Sequence, residues 1–272
     1  MTRVLVTGAS GFVGSAIMRQ LAEQGHEALP LRADLLAGPR DSSQIEATHC
    51  IHAAWYTNHA DYLTSEINRE WVSASLRLAE AFAAAGGKRF VGLGTCLEYD
   101  VENADGACVE DRTPLRPRSL YARCKLDLFE ALERRGANFA WARIFFVYGP
   151  GDRAGRLILQ ILEKFACGEA AGPTYGGLRR DYVHVDDLAA QIVRIALSDV
   201  TGAINTGTGL APTLSEIFAA GARAFGRPDL ALANTETGGQ PPLIQADMSL
   251  FERDLGDPRA RTVAEGIKDL VR

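Results

Sequence analysis

Three segments far apart in the chain carry groups, two through side chains and one through its backbone, that could serve chemistry at neutral pH. "GTCLEYD", Gly94 to Asp100, offers a hydroxyl (Thr95), a thiol (Cys96) and a carboxylate (Glu98) within four residues, directly after the apolar run "RFVGL". A thiol would act as a nucleophile or carry a proton at carbon, a carboxylate would do acid/base work, and a lone hydroxyl beside apolar neighbours would do something simpler. "YARCK" sets Tyr121 and Lys125 four apart, hence on one face of a helix. A phenol ionises near about 10 when unperturbed, too high for proton exchange at neutral pH, and a neighbouring ammonium favours the phenolate.

The third segment is "VTGASGFVG", with Gly8, Gly11 and Gly14 between an apolar run and a helical pattern. Glycines let the backbone approach a pyrophosphate, which then rests on the positive end of the helix. The spacing is GxxGxxG rather than GxGxxG, but its strand–turn–helix context points to a dinucleotide cofactor. An oxidised nicotinamide would add to the effect of Lys125 on Tyr121. The second strand ends "LPLRAD". A carboxylate at that tip would bond a ribose 2′-hydroxyl and select NAD(H), whereas an arginine accommodates a 2′-phosphate. Arg32 holds the tip, with Asp34 two residues on, so NADP(H) is favoured over NAD(H).

The elements that must position these groups alternate along the chain. The apolar runs "RVLVTG", "HEALPL", "HCIHAA", "RFVGLGT", "FAWARIFFV" and "YVHVDD" are separated by helical patterns, the sign of a parallel sheet covered on both faces. The helices are expected at Ser15–Gln24, Asn68–Ala85 and Tyr121–Arg135, each stopped by glycine. "DVENADGACVEDRTPLRPRS" is the longest stretch without a pattern. The expected fold is α/β, a Rossmann-like doubly wound parallel sheet with a small C-terminal substrate-binding lobe. Residues 1–150 form the dinucleotide-binding domain, with a return segment at about 180–205, and 151–179 and 206–272 form the lobe.

Composition narrows the class. At 272 residues and 47% hydrophobic, the chain can build one large domain or a domain with a lobe. A net charge of -5 argues against a grip on nucleic acid or an anionic membrane. No run approaches the about 20 apolar residues of a membrane span, and the chain enters a strand at once, leaving no secretory signal. Five scattered cysteines form neither a disulfide framework nor a CxxC pair, which fits free thiols in the cytoplasm. No metal is expected: His49 and His52 in "HCIH" are three apart in a strand and face opposite sides. Asp186-Asp187 precede a helical pattern and are expected to cap it.

Together these motifs resemble an extended short-chain dehydrogenase/reductase of the NAD-dependent epimerase/dehydratase family, whose members act mainly on nucleotide sugars. The matches run in order: "TGASGFVG", "HCIHAAW", Asn68, "EDRTPLRPRSLYARCK", "RIFFVYGPGD", "RRDYVHVDDLA", "NTGTG" and "ADMSLFERDLGDP". The resemblance implies that Thr95, followed by Tyr99 four residues on, supplies the catalytic hydroxyl, that Tyr121 protonates the substrate oxygen, and that Lys125 tunes Tyr121 while nicotinamide carries hydride. It implies a cofactor path along Gly8, Gly11, Phe12, Val13 and Gly14, past Arg32, Asp34 and Leu35, then Ala53 and Ala54 to Tyr121 and Lys125. On the substrate side it implies Trp55, Tyr56, Thr95 and Arg180, the last near a diphosphate that a guanidinium suits. Asn58 and His59 are further pocket residues, and a homodimer through the Asn68 and Tyr121 helices is implied.

Departures from the family pattern select the reaction. Dehydratases of the family carry Asp-Glu directly after the threonine, and this chain has Cys96-Leu97. Members resembling GDP-fucose synthase place a cysteine two after the hydroxyl, where this chain has Leu97. Cys96 therefore reads as a small core residue and Glu98 as a structural hydrogen-bond partner. The segment from Arg32 to Thr48 is short, as in the ketoreductases resembling dTDP-4-dehydrorhamnose reductase. The expectation is an NADP(H)-dependent 4-ketoreductase of a nucleotide-activated 4-keto-6-deoxysugar. The alternatives are a 4-epimerase that retains NAD, a reductase of a non-nucleotide ketone, and a non-catalytic NADP-binding regulator.

Overall fold

The computed structural model describes residues 1–31, 34–37, 46–103, 106–136, 138–233 and 243–271. The elements in chain order are β1 (Arg3–Thr7), α1 (Phe12–Glu23), β2 (Glu27–Pro30), β3 (His49–His52), α2 (Ile67–Ala84), β4 (Arg89–Thr95), α3 (Leu120–Arg134), β5 (Phe139–Ile144) and β6 (Phe146–Tyr148). They continue with α4 (Leu157–Ala166), β7 (Tyr182–His184), α5 (Val185–Ala196), β8 (Gly202–Thr206), α6 (Leu214–Ala224), α7 (Ser249–Leu255) and α8 (Val263–Val271). Six strands form a parallel sheet in the order β2-β1-β3-β4-β5-β8. The chain starts at β1, steps to β2 on one side and then to β3 on the other. The crevice between the carboxyl ends of β1 and β3 is thus the switch point where α/β sheets bind ligands.

Burial on both faces explains the apolar strands. Val4, Val6, Val91, Ala140 and Ile204 point into a core shared with Ile17 and Leu21 of α1 and Leu188 and Ile192 of α5. On the opposite face Leu5, Cys50, Phe90, Phe139 and Trp141 pack against Leu78 and Phe82 of α2 and Leu126 and Phe129 of α3. Trp141 explains the glycines of "GLG" in β4. A Cβ on Gly92 would lie 2.3 Å from Trp141 Cζ3, and one on Gly94 2.2 Å from its Nε1. A third core joins α4, α6 and α8 through Ile161, Phe165, Ile217, Phe218 and Ile267. Ile244, Ala246, Met248 and Phe251 of the C-terminal stretch pack instead on the first core.

Four expectations need correction. "FAWARIFFV" is not one strand: β5 ends at Ile144, and β6 pairs with β7 in a separate two-stranded sheet. "YVHVDD" therefore supplies no strand to the main sheet. The ladder changes partner within one residue, since the Phe145 N–H donates to Thr206 O (3.2 Å) and the Phe146 N–H to Asp181 O (3.0 Å). The buried Asp181 carboxylate holds that exchange by accepting from Thr208, Gly209 and Ala246 N–H groups. The first helix begins at Phe12, not Ser15, because Gly14 lets the helix press onto the turn. The cap of α5 is His184, whose Nδ1 accepts from the Asp186 N–H. Asp186 and Asp187 lie in the first turn and pair with Arg19 (2.6 Å) and Arg261 (2.8 Å). The patternless stretch after Asp100 is anchored by bridges Tyr99↔Leu115 and Cys108↔Ala246.

Candidate active site

A cavity of about 680 Å³ opens at the switch point and is lined by the glycine turn, the ends of β3 and β4, α3, and the β6–α4 connection. Gly8 has φ 65°, and a Cβ there would meet Ala54 N at 2.8 Å; a Cβ on Gly14 would meet Gly8 O at 2.0 Å. Both positions therefore exclude any side chain, and α1 starts hard against the end of β3. Its N-cap is Gly11, with no side-chain bond to the first-turn N–H groups, whereas Ser119 and Thr213 cap α3 and α6 with their hydroxyls. The α1 terminus thus presents open N–H donors and the positive end of its dipole to the cavity. That arrangement fits a pyrophosphate.

A chain of assigned protons fixes the turn. Ser75 Oγ donates to Trp71 O (2.6 Å), so it accepts from His52 Nε2 (2.8 Å). His52 Nδ1 then accepts from Thr7 Oγ1 (2.8 Å), whose lone pair accepts the Ala54 N–H (3.0 Å). Burial lowers His52 to about 3, so it stays neutral in this relay. His49 points away, its Nδ1 2.8 Å from Thr48 Oγ1, so the two histidines cannot share an ion. No group of metal-binding side chains occurs among the described residues.

Thr95, Tyr121 and Lys125 converge on this cavity. Thr95 ends β4 in extended conformation and caps a short 3-10 turn, Cys96–Glu98, by accepting the Leu97 N–H (3.3 Å). Its hydroxyl proton is left for donation. Tyr121 opens α3 after the Ser119 cap, and Lys125 follows one turn later. Burial pushes the Tyr121 phenol up, with Tyr62, Glu98 and Cys96 adding to it, while a hydrogen bond with Thr95 acts the other way. Lys125 is buried at 4% exposure, and desolvation pulls it down to about 7 against the field of Glu98. Its Nζ donates to Leu93 O (2.8 Å) and sits 3.7 Å from the centroid of the Trp55 ring. An ammonium held over an aromatic face gains a cation–π attraction and keeps one orientation.

The other expected residues divide. Gly8, Gly11, Phe12, Val13, Gly14, Ala53, Ala54 and Trp55 line the cavity. Asp34 and Leu35 do not: Asp34 Oδ1 accepts the Leu36 N–H (3.0 Å) and Leu35 O accepts from Arg77 (3.5 Å). Arg32, which carried the NADP(H) expectation, lies outside the described residues. Tyr56 turns from the cavity and donates to Asp61 (2.7 Å), and Asn58 caps the turn at Ala60 (3.3 Å). Arg180 stands behind the wall, its guanidinium 5.9 Å from the ring of the cavity residue Phe146 and donating to Arg179 O (2.8 Å). Cys96 is 2% exposed in the main core and burial pushes its thiol up, while Glu98 is wholly buried.

Sequence reasoning missed the opposite wall. Arg153 donates to Thr57 O (2.7 Å) and Arg156 to His59 Nε2 (3.0 Å), bridging the α4 end to the loop after β3. Desolvation first, then Arg156 and Arg153, lower His59, so it accepts as a neutral ring. Phe146, Tyr148 and Tyr182 complete an aromatic wall, while Tyr62 packs edge-on against Tyr121 with ring centroids 5.2 Å apart. Only the position of these arginines just beyond "YGPGD" could have signalled them.

An open parallel sheet with a glycine turn at its switch point is the frame of dinucleotide-dependent α/β enzymes. Residues 4–207 match the model of the NAD dependent epimerase/dehydratase family, and the chain belongs to that family of NAD(P)-dependent enzymes. It is 27% identical over 301 residues to a dTDP-6-deoxy-L-talose 4-dehydrogenase (NAD(P)(+)) of Kitasatospora kifunensis, covering 98% of this chain and 94% of the relative. It is 25% identical over 298 residues to a UDP-glucose 4-epimerase of Corynebacterium glutamicum, covering 93% and 90%. Among solved structures, the UDP-N-acetylglucosamine 4-epimerase of Methanobrevibacter ruminantium superposes with a TM-score of 0.85 at 20% identity, over 99% of this chain and 97% of that one. MoeE5 in complex with UDP-glucose and NAD gives 0.79 at 26% identity, over 99% and 97%.

Proposed function

We propose that this chain is an NADP(H)-dependent 4-ketoreductase of a nucleotide-activated 4-keto-6-deoxysugar. The observation that carries the reading is the meeting of Thr95, Tyr121 and Lys125 in one cavity without an acid/base pair beside the threonine. Cys96 is buried and Leu97 is apolar, so the position after Thr95 offers nothing to expel water from the sugar. Among the described residues lining the cavity the carboxylate is Asp152, engaged by the Arg153 N–H (2.8 Å) and by Arg156 (3.6 Å). The 4-dehydrogenase relative supports chemistry at a single carbinol carbon, of which reduction is the reverse direction.

Each residue then has one task. A dihydronicotinamide cofactor held at the glycine turn would supply hydride at the carbonyl carbon. Thr95 donates a hydrogen bond to the carbonyl oxygen, and Tyr121 delivers the proton that makes it a hydroxyl. Lys125, when protonated, stabilises the phenolate left on Tyr121 and so lowers the cost of that transfer. Gly8, Gly11 and Gly14 with the open α1 terminus hold the pyrophosphate of the cofactor. Arg153 and Arg156 at the rim suit a substrate diphosphate. The choice of NADP(H) rests on Arg32 in the sequence.

The test is turnover of a panel of 4-keto nucleotide sugars with NADPH and with NADH. Consumption of NADPH in preference to NADH supports the reading, and no turnover of any member refutes it. A second reading, a 4-epimerase, draws on the 4-epimerase relative. Protein purified with tightly held NAD that interconverts UDP-sugars without added reductant would establish it instead.

A further inference from the structure

A buried ion pair stands directly behind Thr95. Arg143 Nε donates to Glu98 Oε2 at 2.8 Å, with the two side chains 1% and 0% exposed. Taking two charges out of water costs more than their attraction returns unless further hydrogen bonds satisfy both, and apolar residues of equal volume would fill the space without that cost. Here both are satisfied. Glu98 accepts from Trp141 Nε1 (3.1 and 3.2 Å) and, through Oε1, from the Thr95 N–H (2.9 Å). Arg143 donates to the Tyr99 hydroxyl (3.1 Å) and to Glu110 O (3.3 Å). Tyr99 donates to Asn205 Oδ1 (2.7 Å), whose amide donates to Cys108 O (2.8 Å) and Asp247 O (3.1 Å).

The pair is hydrogen-bonded to the site at one point, the backbone of Thr95, while the Glu98 charge also acts on Tyr121 and Lys125. A Cβ on Gly94 would lie 2.7 Å from Glu98 Oε1, so the glycine before the threonine leaves room for the carboxylate. Glu98 itself does not line the cavity, while Thr95 does. Through Tyr99 and Asn205 the same network reaches the stretch around Cys108 and the C-terminal segment at Asp247.

The geometry points to Glu98 and Arg143 as positioning residues: the carboxylate clamps the Thr95 amide, the guanidinium holds the carboxylate, and the Thr95 hydroxyl is thereby aimed at the substrate oxygen. This rests on the role proposed for Thr95 in the ketoreductase reading. It assigns the pair no contact with substrate or cofactor. The loss on breaking it is one of alignment, which falls on turnover rather than on binding.

The test compares Glu98→Met, the double variant Glu98→Met/Arg143→Met, which keeps side-chain bulk and removes both charges, and the double variant Glu98→Gln/Arg143→Met. Two quantities are read: amide hydrogen exchange at Thr95, and kcat and KM with NADPH and dTDP-4-keto-6-deoxyglucose. The Glu98→Met variants are expected to speed exchange at Thr95 about tenfold or more. They should lower kcat about tenfold to hundredfold with KM within about twofold. Glu98→Gln keeps a side-chain oxygen for the Thr95 N–H and, in Glu98→Gln/Arg143→Met, where its amide N–H no longer faces the Arg143 Nε–H, should recover most of both. If Glu98→Met fails to fold because Arg143 is left unpaired, the two double variants carry the comparison. Equal losses for Glu98→Gln/Arg143→Met and Glu98→Met/Arg143→Met, or unchanged exchange at Thr95 in the latter, overturn the proposal. A wild-type protein that reduces no sugar ends the ketoreductase reading, and the exchange comparison still decides whether the clamp exists.

Discussion

The two walls of the cavity are built by different means. The cofactor wall is made of backbone: a glycine turn, an uncapped helix terminus and strand ends, with Thr95, Tyr121 and Lys125 projecting from regular elements. The opposite wall is made of side chains, Phe146, Tyr148 and Tyr182 on the small β6–β7 sheet with Arg153 and Arg156 in the segment that leads into α4. Backbone geometry admits one shape and suits a ligand common to a whole family. Side chains can be exchanged without disturbing the sheet, so in the proposed function the second wall would be where a substrate is selected. The contrast separates chemistry from recognition.

It can be broken by substitution, one wall at a time. Tyr121→Phe removes the proposed proton donor and should lower kcat about a thousandfold with NADPH affinity unchanged, as measured by steady-state kinetics and cofactor titration. A comparable rise in KM would erase the distinction between the walls.

The next effect concerns stability. Burial lowers folded Lys125 to about 7 from 10.5. Between those values the unfolded chain binds the proton and the folded chain does not, so this residue makes stability rise with pH. The buried cysteines and tyrosines are raised and act in the opposite direction at higher pH. The expected signal is therefore the difference between wild type and Lys125→Met in denaturant unfolding of the cofactor-free protein from about pH 7 to 8.5. Wild type should gain stability relative to the variant across that range, and a flat difference would place Lys125 in solvent.

On the recognition wall, Arg156→Ala should raise substrate KM about tenfold with kcat within about twofold, a loss that shrinks as salt is added. The smallest effect is expected for Tyr56→Phe. Its hydroxyl bonds Asp61 outside the cavity, so kcat and KM should each stay within about twofold.

Much of the first wall was legible in the residues. Gly8, Gly11 and Gly14 sit where a strand turns into a helix, and the Tyr121–Lys125 spacing follows from helical periodicity alone. Glu98 was legible as a structural partner, but not what it holds, because Trp141 and Arg143 come from a strand more than forty residues away. Tyr56 and Arg180 were expected among the substrate contacts and lie off the cavity surface. The neighbours of Tyr56, Trp55 and Thr57, line it, and a side chain's direction at a loop depends on packing that no local pattern encodes. The strand break at Phe145 was hidden for a similar reason. "IFFVY" is uniformly apolar, and the new partner of the Phe146 N–H is the backbone carbonyl of Asp181, distant in sequence.

By itself the sequence determined the alternation of strands and helices, the glycine turn and the identity of the three groups that meet at the site. These follow from periodicity, steric freedom and side-chain chemistry, all of which act over a few residues. Tertiary structure alone decided that Arg153 and Arg156 reach across to Thr57 and His59, that Lys125 lies against Trp55, and that Glu98 and Arg143 share a dry pocket behind Thr95. Those contacts join segments tens of residues apart, and their energies exist only once the sheet has brought the segments together and removed the water between them.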